Sequence, residues 1–202
     1  MFMKIFISFI CLIFFIAEKA YADEAADWLK TEIDFILNAY ENKNTSNKDR
    51  FLMIENTINY NFAGAGIAKF VAGNAWKKAD KKTKKNYIEL FKRHLALNIA
   101  SMMQGYSNQE YQLINSKYDE KNKVSLIDME IFSDTGSLSV TWRVKKSKNR
   151  FYVIDLIVAD ISLVVTKRDE FNSLLKNVNY NLIEFNLLLN KQNEESYNKI
   201  IN

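Results

Sequence analysis

The chain has 202 residues, 48% of them hydrophobic, with no proline, five glycines, one cysteine, one histidine and a formal net charge of +4. A lone histidine and a lone cysteine cannot assemble a zinc-type metal site or a disulfide, and a charge this mild does not mark a nucleic-acid binder. With no proline and so little glycine, no flexible linker or low-complexity stretch is apparent.

Residues 1–22 read as a secretory leader. Lys4 supplies the positive n-region, Ile5 to Ala17 is apolar except for Ser8, and Ala20-Tyr21-Ala22 is a small-x-small cleavage site. The apolar run is shorter than the ~20 residues a membrane-spanning helix needs. Cys11 lies inside it, and Ser8-Phe9-Ile10 in front of it is not a lipoprotein box, so cleavage is expected after Ala22 without lipidation. What remains, residues 23–202, is expected to be exported, free of cysteine, and long enough for one domain with a substantial core.

Helical spacing predicts a first helix over Glu24 to Tyr40, with Trp28, Leu29, Ile33, Ile36, Leu37 and Tyr40 on its apolar face. A second follows from about Lys48 to Asn59, with Phe51, Leu52, Ile54 and Ile58 inward. Gly64 and Gly66 open a third. No strand precedes them and Lys69 stands where a third glycine would be, so they read as a tight helix start with close backbone approach rather than a phosphate loop. Gly73 is expected to end that helix. Asp80 is a good N-cap for the longest helix, Lys81 to Gln104, whose start is crowded by Lys77, Lys78, Lys81, Lys82, Lys84 and Lys85. That run is read as a solvated face, with docking to an anionic partner or membrane surface as the alternative. His94, on the same helix, is expected at the surface or its boundary.

After Gly105 the period changes to that of strands. Glu110 to Ser116, Val124 to Phe132, Ser137 to Lys145 and Arg150 to Val158, separated by short turns, predict an antiparallel meander. In the third, Leu138, Val140, Trp142 and Val144 share one face. In the fourth, Tyr152, Ile154, Leu156 and Val158 point one way, and Phe151, Val153, Asp155 and Ile157 the other. Two helices close the chain, about Lys167 to Lys176 and Leu182 to Ser196. The fold class expected is therefore α+β: a four-stranded antiparallel meander wrapped by about six helices.

Asp155 sits in an apolar strand and needs a cation, for which Arg168 is the candidate, giving a structural ion pair at the strand-to-helix joint. Catalytic motifs are missing: Ser162 lies between Ile161 and Leu163 rather than in G-x-S-x-G, and there is no H-E-x-x-H or Walker sequence. Asp128 and Glu130 alternate with Ile127, Met129 and Ile131 and read as the wet face of the sheet. No catalytic residue, cofactor or metal ligand is assigned. A curved sheet wrapped by helices can enclose an apolar pocket.

Tyr152-Val153-Ile154-Asp155, then Ile161-Ser162-Leu163-Val164, then Arg168 and Phe171, resemble the C-terminal signature of the MlaC/toluene-tolerance family of periplasmic phospholipid-binding proteins from Gram-negative bacteria. The resemblance runs over roughly Tyr60 to Ile183. Asn61-Phe62 stands where the family has f-D-F, Ala72-Gly73 and Trp76 where it has L-G-x-x-W, and Tyr87, Phe91, Leu95 and Tyr106 follow in order. The chain departs at Asn61, an acid in the family, at Asp160, where the family favours glycine, and at Thr166-Lys167, where it favours Asn-Tyr. Asn177 to Asn181 also lacks the family's glycines.

The resemblance implies a monomeric periplasmic carrier that moves phospholipid between outer and inner membranes and so maintains outer-membrane lipid asymmetry. It also implies, as partners, an inner-membrane MCE-type ABC transporter complex and an outer-membrane lipoprotein–porin complex. At about 0.8 kcal/mol per methylene, two acyl chains of ~15 methylenes cost on the order of 20 kcal/mol to leave in water. Such a carrier must enclose both chains. The expected wall is Leu138, Val140, Trp142, Ile154 and Leu156 on the sheet, with Ile67, Phe70, Val71, Leu95, Ile99 and Met102 on the helices. Two other classes stay open: a small enzyme of ketosteroid-isomerase-like cone fold using Asp155 or Asp128 as base, and a periplasmic adaptor without ligand.

Overall fold

The computed structural model describes residues 24–106, 109–134 and 136–202, so the predicted leader and its cleavage site lie outside the described residues. Helix α1 spans residues 24–41, α2 Asn47–Asn61, α3 Gly64–Lys78 and α4 Lys81–Met103. Strands β1 (Glu110–Asp119), β2 (Val124–Ser133), β3 (Gly136–Ser147), β4 (Arg150–Val158) and β5 (Ile161–Ser162) follow, then α5 (Leu163–Asn177) and α6 (Leu182–Ile201). The fold is α+β as expected. Its strands lie in chain order, every neighbour antiparallel, and a two-residue fifth strand extends the predicted four.

Side-chain caps explain most helix starts. Ser46, Asp80, Ser162 and Asn181 each accept a backbone N–H from the first turn that follows, satisfying donors that the helix itself cannot. Ser162 starts α5 earlier than the expected Lys167: its hydroxyl takes Val165 N–H at 3.1 Å, and Asp155 Oδ1 takes Val164 N–H at 3.1 Å. Gly73 ends the first run of α3 as expected: it stands at φ 52°, ψ −120°, a non-helical conformation glycine tolerates, and a second short run carries on from this kink to Lys78. Gly64 does mark a close approach, since a Cβ there would lie 2.7 Å from Cγ of Lys92.

Three apolar clusters hold the elements together. The first joins α3, α4, α5 and α6 through Ile67, Val71, Tyr87, Phe91, Phe171, Phe185 and Leu189, with Phe171 edge-on to both Phe91 and Phe185. The second joins α2, α4 and α6 through Phe51, Ile54, Ile58, Leu97 and Ile200. The third lays α1 on the sheet, with Ala25 and Leu29 against Ile127, Val144 and Val153.

His94 is not at the surface: it is 5% exposed. Nδ2 of Asn193 donates to the Leu90 carbonyl at 2.9 Å, leaving Oδ1 to accept from His94 Nδ1 at 3.2 Å, and the imidazole lies 5.4 Å from the Phe171 ring. Burial, reinforced by nearby Lys167, depresses its pKa to about 4. The unfolded chain, with a histidine pKa near 6.5, then binds the extra proton first as pH falls. Stability is lost between pH about 6.5 and about 4, by roughly 3 kcal/mol at 1.36 kcal/mol per unit. Urea unfolding from pH 7 to pH 4 should show this loss, and a His94→Gln chain should lack that share of it.

Candidate ligand cavity

Between the second and third clusters the elements part to leave a cavity of about 540 Å³, within the range of small-molecule sites. One wall is the inner face of the sheet: Met129 and Ile131 from β2, Leu138, Val140 and Trp142 from β3, and Val153, Leu156 and Val158 from β4. The opposite wall is helical, from Trp28, Leu29, Ile33, Ile36 and Leu37 on α1, Ile54 and Ile58 on α2, and Ile99, Met102 and Met103 on α4. Met102, Leu138 and Leu163 are the large apolar side chains of the wall most open to solvent, at 65%, 44% and 37% exposed. They mark a mouth where α4 ends, β3 begins and α5 begins.

Hydrogen bonds around the rim tie α1 to its surroundings. Asn61 Nδ2 donates to Glu32 at 2.6 Å, joining α1 to the end of α2. The Tyr111 hydroxyl donates to Asp34, which also pairs with Lys30 at 2.6 Å, joining α1 to β1. Burial and the Asp34 carboxylate both push the Tyr111 phenol up, and the lysine and tyrosine bonds hold Asp34 below the usual carboxylate range. Tyr106 donates to Glu41 at 3.3 Å on the mouth side. Asn61, where the resembled family carries an acid, is thus paired with a carboxylate from α1.

Ile99, Met102, Leu138, Val140, Trp142 and Leu156 from the expected wall do come together here. Ile67 and Val71 do not. They are buried in the cluster of α3 with α4, α5 and α6, because α3 packs on other helices and not over the cavity. Phe70 faces outward at 42% exposed, and Leu95 fills the space between the two helical clusters. Ile154 is displaced by a β-bulge. Arg143 pairs with Asp155 but Val144 with Val153, so Ile154 is an extra residue on β4. A bulge shifts the alternation by one, which turns Val153 inward before it and Leu156 and Val158 inward after it. The apolar face of α1, predicted from its spacing but not assigned to the cavity, is a wall missing from the expected set.

The proposed Asp155–Arg168 pair is also corrected. Asp155 is 4% exposed, and its carboxylate accepts the Ser162 hydroxyl at 2.7 Å, Val164 N–H at 3.1 Å and the Arg143 guanidinium at 3.5 Å. Arg143 is its cross-strand partner on β3. Arg168 lies on α5, its guanidinium 4.4 Å over the Phe70 ring. With α5 starting at Leu163, Arg168 falls on the face toward α3. Asp155 instead serves the helix N-terminus, where a carboxylate is favoured. Asp128 accepts from Thr141 at 2.7 Å across β2 and β3. Neither aspartate lines the cavity, so neither is a base facing a ligand there.

The fold and this cavity define a class: an α+β protein whose open sheet and helices enclose an apolar space with a polar rim. Among the described residues no group of three or more His, Cys, Asp or Glu could hold a metal, and no helix is long and apolar enough to cross a membrane. The chain belongs to the MlaC protein family, which matches residues 30–184. No curated protein matches it. Among solved structures it is similar to the phospholipid-binding protein from Ralstonia solanacearum, determined in complex with a phospholipid at 1.53 Å. That likeness has a TM-score of 0.72 at 14% identity and covers 87% of this chain and 98% of the other.

Proposed function

We propose that residues 23–202 act, after removal of the leader, as one periplasmic lipid-binding domain that carries phospholipid between outer and inner membranes. The acyl chains would lie in the cavity with the headgroup at the mouth near Met102 and Leu138. The observation that carries this reading is the apolar cavity itself, in a member of a family with a similar fold solved around a phospholipid. Its walls are almost wholly apolar, and such walls gain by meeting acyl chains in place of water. That supports an apolar occupant over a catalytic pocket.

As a carrier, the chain would take lipid from an outer-membrane lipoprotein–porin complex and deliver it to an MCE-type ABC complex of the inner membrane, thereby maintaining lipid asymmetry. No catalytic residue is required. The test is transfer between two vesicle populations separated by a dialysis membrane that passes the protein but not the vesicles. Labelled phospholipid should cross at a rate proportional to the amount of chain. Transfer seen only when vesicles touch would contradict a diffusing carrier.

A further inference from the structure

We propose that the lysine-rich start of α4, with the start of α6 beside it, is a docking surface for an anionic phospholipid membrane. Lys77, Lys78, Lys81, Lys82, Lys84 and Lys85 fall within nine residues whose only acid is Asp80. Both Asp80 oxygens are engaged by Thr83, through its N–H at 2.8 Å and its hydroxyl at 2.9 Å. Among the described residues none of the six lysines is in a salt bridge, and all but Lys84, which lies 5.5 Å over the Trp76 ring, are exposed. The first turn of α4 holds no acidic residue, so its lysines oppose the helix dipole and repel one another. They work against folding, and their complement is an external anion.

The neighbouring helix says which anion. Asn186 Nδ2 donates to the Thr83 carbonyl at 3.2 Å, bringing the start of α6 alongside the lysines. There α6 exposes Leu187 at 70%, Ile183 at 58% and Leu188 at 52%. Its nearby Glu184 is hydrogen-bonded by Asn181 at 3.0 Å. Lysines beside large exposed apolar side chains suit an anionic bilayer, where the cations meet headgroups and the apolar groups enter the acyl boundary. An acidic protein surface would satisfy only the lysines. The cavity mouth lies at the other end of α4, about 30 Å away at 1.5 Å per residue. The surface therefore tethers the chain while leaving the mouth free, and it stands independently of what the cavity holds.

Vesicle flotation of the purified chain tests this, with phosphatidylcholine alone and with phosphatidylcholine mixed with phosphatidylglycerol. Binding is expected only to the mixture, weakening with salt. Each surface lysine strengthens such binding about fivefold, so Lys81→Gln, Lys82→Gln and Lys85→Gln together should weaken it about 100-fold while leaving any co-purifying phospholipid in place. An Ile183→Ser, Leu187→Ser chain should also bind less well. Equal binding to both vesicles, no binding to either, or undiminished binding by the lysine variant would overturn the proposal. So would capture of an acidic protein without vesicle binding.

Discussion

A Val140→Glu chain is expected to fold and to carry no phospholipid. Val140 is 4% exposed and pairs in register with Met129 on one side and Val158 on the other, at the centre of the cavity's sheet wall. A carboxylate there would face acyl chains. Burying even a neutral polar group without a hydrogen bond costs about 2–7 kcal/mol, and an ionised one more, so occupancy should fall at least 100-fold at 1.4 kcal/mol per tenfold. The fold should survive because the cavity opens to water and the carboxylate can stay hydrated when no chain is bound. Lipid extraction with circular dichroism reads both outcomes, and Val140→Ile, which keeps the wall apolar, should retain the lipid. Loss of the fold in Val140→Glu would make the position core instead of wall.

The second large effect is on stability. Asp155→Ala removes a buried acceptor from Ser162, Val164 and Arg143 at once, and should destabilise by about 3 kcal/mol. At 2–4 °C per kcal/mol for a domain of this size, the Tm should drop by roughly 6–12 °C. Arg168→Ala should cost less than about 1 kcal/mol, since it forfeits only an exposed cation–π contact. A double-mutant cycle separates the arrangements: Asp155 should couple to Ser162 and Arg143 and not to Arg168. Strong coupling between Asp155 and Arg168 would restore the pair that the sequence suggested.

Segments with a clean period and a named cap were legible in the chain. Asp80 and the apolar repeat of α4 predicted that helix to within a residue, and the alternation Leu138, Val140, Trp142, Val144 predicted the inner face of β3. Bulges were not legible. A single extra residue at Ile154, and another at Ile114 in β1, reverse the faces downstream without any change in composition. Nor does periodicity say which neighbour an apolar face meets: Ile67 and Val71 on α3 read the same as Ile33 and Leu37 on α1, yet only the latter reach the cavity. His94 was misplaced for a related reason. Its burial depends on Asn193, 99 residues away, supplying the acceptor that makes an interior imidazole tolerable.

Native mass spectrometry of chain purified gently from a bacterial periplasm, followed by organic extraction and lipid analysis, shows whether the cavity carries a phospholipid. A near-stoichiometric mass increment above residues 23–202 is expected, resolving into phospholipid on extraction. Protein found only at the bare mass of residues 23–202, with no lipid in the extract, would contradict it.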